Sequence, residues 1–288
     1  MPITAPNGIS IEYDSFGDPS SPPVLLIMGL GAQMTLWDPE LCQAIADRGY
    51  YVIRFDNRDV GLSTWFDDVG TVDLNDVVSG AVGAPYSLAD MASDAAGLLD
   101  ALGIESAHIV GASMGGMIAQ TFAINYPTKT RTLTSIMSTT GDPSVGQPSP
   151  EALEALLSPL PSSREEAIES DVLFWKVIGS PGYPFDEASI RERAASSYDR
   201  SFHPAGLVRQ LAAIITQPDR TQSLRSLDVP TLVIHGADDP LVDPSGGHAT
   251  ADAVPNATLK IVPGMGHDFP PVLYDESADS LAQHFARV

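Results

Sequence analysis

Six short apolar runs, at residues 24–28, 51–55, 107–110, 132–137, 231–235 and 258–262, alternate with stretches of helical periodicity. Strand, helix, strand is the rhythm of a parallel sheet joined by crossover helices, so an α/β fold with a mostly parallel central sheet is expected. Several of the runs are apolar throughout. A strand reads that way when helices cover both faces of its sheet. The opening segment 9–17 alternates apolar and polar residues instead, which predicts an antiparallel edge strand with one wet face.

Helices are expected at 39–48, 87–102, 114–126, 244–253 and 277–286. In 87–102, Leu88, Met91, Ala95, Leu98 and Leu99 recur at three- and four-residue spacing and make one apolar face, with Asp90 and Asp94 on the polar side. The rhythm breaks between residues 140 and 225. Nine prolines fall there, from Pro143 to Pro218, and each removes a donor that a sheet ladder needs. The expected organisation is therefore a core domain, 1–139 and 226–288, with an inserted helical cap at 140–225.

A chain of 288 residues can bury a sizeable core. With 37 acidic and 15 basic residues its net charge is −22, and such a surface repels nucleic-acid phosphates and anionic lipid. Cys42 is the only cysteine, which rules out an intrachain disulfide and a thiolate metal cluster; its helical setting marks it as a small buried hydrophobe. The first eight residues have neither the basic start nor the apolar run of a signal peptide. No stretch approaches the roughly 20 apolar residues of a membrane span. A cytoplasmic location is the expectation, and the sequence leaves room for a homodimer without arguing for one.

The feature that carries chemistry is Gly111-Ala112-Ser113-Met114-Gly115, set between a strand and a helix. The bare Gly-x-Ser-x-Gly spacing arises by chance in roughly one chain in ten of this length, so the flanking elements carry the weight. A serine thrust out on a tight strand-to-helix bend sits in strained backbone, and residues without bulk two places before and after it relieve the crowding. The helix that follows aims free N–H groups and its positive end at the reacting oxygen. Ser113 is the candidate nucleophile.

A serine hydroxyl needs a base within hydrogen-bond reach. Of six histidines, His108 and His284 read as structural, His203 and His248 as solvated, and His235 as a sheet-end histidine or a neighbour of the pocket. His267 lies in a glycine-rich loop after the last strand, where chemistry gathers at the carboxyl end of a parallel sheet. It is the candidate base. The acid that orients it is expected after the next-to-last strand, where Asp238 and Asp239 adjoin. Asp239 precedes Pro240, which biases it toward extended backbone at the turn exit, and it is favoured over Asp238; Asp142 is a third choice requiring another geometry.

In that chain order, serine, aspartate and histidine make the whole sequence resemble the α/β-hydrolase superfamily. The stretches Met28-Gly29-Leu30-Gly31, Asp56-Asn57-Arg58-Asp59-Val60-Gly61-Leu62-Ser63 and Gly111-Ala112-Ser113-Met114-Gly115-Gly116 resemble actinobacterial carboxylesterases, the aclacinomycin methylesterase group in particular. Many members carry His-Gly where Met28-Gly29 stands here. The resemblance implies an oxyanion hole built from the backbone N–H groups of Leu30 and Met114. The 56–63 stretch reads as a structural turn held by Asp56, Arg58 and Ser63.

The expected reaction is acyl transfer from a small-molecule ester to Ser113, then hydrolysis by a water that His267 activates, with no metal or organic cofactor called for. Trp37, Met117, Phe174 and Trp175 are candidates for an apolar pocket. The same fold also hosts lactone and carbon–carbon hydrolysis, acyl transfer and cofactor-free perhydrolysis. A ligand-binding protein that keeps the three residues without turnover is the alternative outside catalysis.

Overall fold

The computed structural model describes residues 3–4 and 8–288; residues 1–2 and 5–7 of the opening segment lie outside the described residues. Among the described residues the strands run in chain order as β1 (Ile3–Thr4), β2 (Ser10–Ile11), β3 (Tyr13–Phe16), β4 (Pro23–Ile27), β5 (Tyr51–Phe55), β6 (Ala107–Ala112), β7 (Thr130–Ile136), β8 (Thr231–Gly236) and β9 (Thr258–Val262). Seven form one sheet in the order β3-β5-β4-β6-β7-β8-β9. β3 pairs antiparallel with β5 at one edge, Tyr13 opposite Phe55, and every other neighbouring pair is parallel. The opening segment is split. Its second half is the antiparallel edge, while β2 leaves the sheet and pairs with β1.

Successive residues of a strand point to opposite faces, and here both faces are dry. Leu25, Ile27, Ile53, Phe55 and Ile109 belong to one core cluster. Val24, Leu26, Val52, Val110 and Ala112 belong to the other. That is the physical reason the runs are apolar at every position. Cys42 is fully buried in the second cluster, and burial pushes its thiol up to about 12.

Local signals start the helices. Ser87 caps Leu88–Ala101 in a capping box with Asp90, and Asp38 caps Pro39–Ala46, whose proline occupies the first turn where its missing N–H is harmless. Between β7 and β8 lie the helices Pro150–Leu156, Arg164–Ile178, Glu187–Arg200, Pro204–Ile215 and Thr221–Leu224, and no strand among the described residues. Ser149, Ser163 and Asp186 cap the first three of these. The last helix of the chain, Tyr274–Phe285, begins three residues before the expected 277. Among the described residues no helix is long and apolar enough to cross a membrane.

Two sequence expectations fail in the packing. Asp94 is not on a polar side: it is buried, and its carboxylate accepts from Arg58 Nε at 2.5 Å and Nη2 at 2.6 Å. Arg58 arrives from the 56–63 turn, so the spacing within the helix could not show it. His203 is not a solvated group either. It stacks on Trp65 with ring centroids 4.1 Å apart, and its Nε2 accepts from Arg209 Nη2 at 2.8 Å beside Asp59 and Asp67. His248 is exposed, whereas His108 and His284 are buried structural rings, bonded to Thr132 Oγ1 and the Leu133 carbonyl oxygen.

Candidate active site

Ser113 stands at the bend between β6 and the helix Met114–Asn125, with φ 57° and ψ −123°. A serine in that region of backbone space is strained. The bend survives because its neighbours leave room: a Cβ on Gly111 would lie 1.9 Å from Gly115 O, and one on Gly115 would lie 2.0 Å from Ile27 O. The Ser113 N–H donates to Ile136 O at 2.9 Å, tying the bend to β7.

His267 follows β9, and its N–H donates to Ile178 O at 2.7 Å. The end of the helix Arg164–Ile178 therefore holds the backbone of this histidine. His267 Nε2 lies 2.9 Å from Ser113 Oγ, and Nδ1 lies 2.7 Å from Asp239 Oδ2. With a carboxylate at Nδ1, that nitrogen carries the proton and Nε2 presents its lone pair to the serine hydroxyl.

Asp239 is buried in the turn after β8, and its Oδ1 accepts from the N–H groups of Leu241 and Val242, each at 2.9 Å. Burial disfavours its charge, but His267, His235 and the Val242 N–H together hold its carboxyl well below the usual aspartate range. Asp238 points elsewhere: it is exposed and accepts from Gly264 N–H at 2.9 Å. Asp142 is used locally, accepting from Ser144 N–H and Oγ.

The Leu30 loop approaches the serine closely. A Cβ on Gly29 would lie 3.1 Å from Ser113 Cβ, and the backbone N–H groups of Leu30 and Met114 have no hydrogen-bond partner among the described residues. Two long-range clamps hold this loop. Gln210, fully buried on the helix Pro204–Ile215, accepts from Gly31 N–H at 2.8 Å and donates to Arg58 O at 2.7 Å. Asn57 Nδ2 donates to Met28 O at 2.9 Å. The 56–63 turn is held by Asp56, whose carboxylate accepts from Met34 N–H, Leu62 N–H and Arg200, and by Ser63, whose hydroxyl donates to Asp56 O. Arg58 turns away to Asp94. Gln210 escaped the sequence reading because nothing local distinguishes it from any other helical glutamine.

A cavity of about 1070 Å³ opens on Ser113 and His267 and is bordered by Trp37, Met117, Phe174 and Trp175. Trp37 is 2% exposed and belongs to the core as much as to the wall. Phe174 and Trp175 meet edge to face, and the Arg193 guanidinium lies 5.0 Å over the Trp175 ring. Asp268, next to the histidine, accepts from Ser180 Oγ, and burial raises its pKa. Asp268 shares the cavity wall with other charged side chains, Asp171 and Arg193 among them, beside the aromatic rings.

A family model described as alpha/beta hydrolase fold matches residues 22–271. The chain belongs to the α/β-hydrolase fold family. This hydrolase is 29% identical over 299 residues to the rhodomycin D methylesterase DauP of Streptomyces sp. (strain C5), spanning 96% of the chain and 95% of that relative. The likeness agrees with the methylesterase resemblance of the motifs. It is also 31% identical over 263 residues to the 2-hydroxy-6-oxononadienedioate/2-hydroxy-6-oxononatrienedioate hydrolase of Burkholderia vietnamiensis (strain G4 / LMG 22486), covering 90% of the chain and 85% of that relative. Among solved structures it is similar to the meta-cleavage product hydrolase CumD of Pseudomonas fluorescens IP01, with a TM-score of 0.76 and 22% identity, covering 100% of this chain and 97% of that one. The structural likeness speaks for the fold.

Proposed function

We propose that this hydrolase cleaves carboxylic esters through a Ser113–His267–Asp239 triad and an acyl-enzyme intermediate. The observation that carries the reading is the continuous hydrogen-bonded line from Ser113 Oγ through the His267 ring to Asp239 Oδ2, at 2.9 and 2.7 Å. Ser113 Oγ attacks the ester carbonyl as its proton passes to His267 Nε2, and buried Asp239 stabilises the imidazolium. The Leu30 and Met114 N–H groups receive the oxyanion, each donor worth about 3–4 kcal/mol at such sites. His267 then protonates the departing alcohol. A water, deprotonated by the same nitrogen, attacks the acyl carbonyl and frees Ser113.

The substrate class rests on two supports. The relatives named rhodomycin D methylesterases favour a small alcohol on a bulky acid, and the cavity of about 1070 Å³, with Phe174 and Trp175 on its wall, has room for one. Residues 140–225 are proposed as the cap that encloses this space. Carbon–carbon bond hydrolysis is the second reading, favoured by the 31% identity to a hydrolase of that kind. The test is Ser113→Ala assayed on p-nitrophenyl acetate and on methyl esters of aromatic acids, with fluorophosphonate labelling of the unaltered protein. Loss of turnover in a folded variant, and a label mapped to Ser113, support the proposal. Unchanged turnover ends it, and cleavage of a vinylogous 1,5-diketone with no ester turnover favours the second reading.

A further inference from the structure

His235 is the next-to-last residue of β8 and is wholly buried. Its Nε2 stands 2.7 Å from the carbonyl oxygen of Val242 and 3.4 Å from Oδ2 of Asp239. A carbonyl oxygen only accepts, so Nε2 carries a proton. The other side of the ring is packed against the helix Ser245–Ala253, closely enough that a Cβ on Gly247 would fall 2.5 Å from Nδ1. A proton on Nδ1 would meet that backbone with no acceptor among the described residues, and the neutral Nε2–H form is the one the packing admits.

The backbone of Val242 is thereby gripped on both sides of its Cα. Its N–H donates to Asp239 Oδ1 at 2.9 Å, and its carbonyl accepts from His235. The turn that presents the aspartate is closed on itself, with the strand-end imidazole as the outer clamp. We propose that His235 is a positioning residue for Asp239: its Nε2–H pins the 239–242 turn, leans on Oδ2, and so aims that oxygen at His267 Nδ1. The proposal rests on the triad reading above. Removing the donor frees the Val242 carbonyl, lets the turn relax, and lengthens the bond that orients the His267 ring.

The experiment compares His235→Leu, His235→Gln and Ser113→Ala on p-nitrophenyl acetate, with circular dichroism as the check on folding. The expected result is that His235→Leu lowers kcat about 10- to 100-fold and leaves KM within about twofold. His235→Gln, whose amide can donate from nearly the same place, recovers most of the rate. A folded His235→Leu with unchanged kcat, a defect confined to KM, or no advantage of Gln over Leu overturns the proposal. Should Leu fail to fold, the ¹⁵N spectrum of the histidine-labelled native protein decides: His235 is expected neutral with its proton on Nε2, and a charged ring or a proton on Nδ1 overturns the role. Failure of the triad reading looks different, because Ser113→Ala then keeps its turnover whatever His235 does.

Discussion

Asp239 splits its carboxylate between two tasks: Oδ2 faces His267 Nδ1 at 2.7 Å, and Oδ1 takes the N–H groups of Leu241 and Val242. One oxygen shapes the turn and the other meets the base. Asp238, its neighbour, is exposed and its carboxylate accepts from Gly264 N–H.

Asp239→Asn should therefore cripple turnover and Asp238→Asn should not. Amide at 239 offers N–H or oxygen to His267 but no charge, so kcat is expected to fall about 10³- to 10⁴-fold. Asp238→Asn should stay within about threefold of the unaltered protein. Steady-state kinetics on one chromogenic ester measures both, and greater damage at 238 would reverse the assignment.

Gln210→Leu should damage the reaction from a helix that contributes no reacting group. It leaves Gly31 N–H and Arg58 O without their buried partner, a loss of about 2–3 kcal/mol in stability. The Leu30 loop then wanders, and misplacement of that kind costs up to about 100-fold in kcat. Chemical denaturation alongside kinetics separates the two effects; a stability loss with intact kcat would show that Gln210 holds the fold and not the loop.

The Arg58–Asp94 pair is nearly inaccessible, with side chains 7% and 3% exposed. Asp94→Ala strands the guanidinium in the interior, and about 3–5 kcal/mol of stability should be lost. Replacing both, Arg58→Met with Asp94→Leu, should cost much less, because no buried charge remains uncompensated. Urea unfolding of the single and double variants provides the numbers, and equal losses in the two would contradict the account.

Stability should fall with acid between pH 6.5 and about 4. Burial, with lesser contributions from Arg131 and His284, pushes His108 down to about 4; burial, with Arg287 beside it, does the same to His284. Both rings stay neutral when folded but take up protons when unfolded below their ordinary 6.5. Their contribution is thus complete above pH 6.5 and is lost as pH falls toward 4, on the order of 3 kcal/mol per ring. Asp239 acts in the same direction, but only below the ordinary aspartate range. Calorimetry near pH 5 should find about two protons taken up by these rings on unfolding; a melting temperature flat from pH 6.5 to 4.5 would refute this.

Much of the molecule could be read from residues in chain order. The apolar runs mark strands because both faces of β4 to β6 are buried, and the glycines around Ser113 mark its bend because no Cβ fits there. These are local properties, encoded by periodicity and sterics over a few residues. Tertiary structure alone decided that Asp94 meets Arg58 across 36 positions, that Gln210 reaches Gly31 across 179, and that His235 grips the turn of Asp239. Each of those partners is chosen by how whole elements pack, and a side chain far along the chain leaves no trace in the spacing of its neighbours.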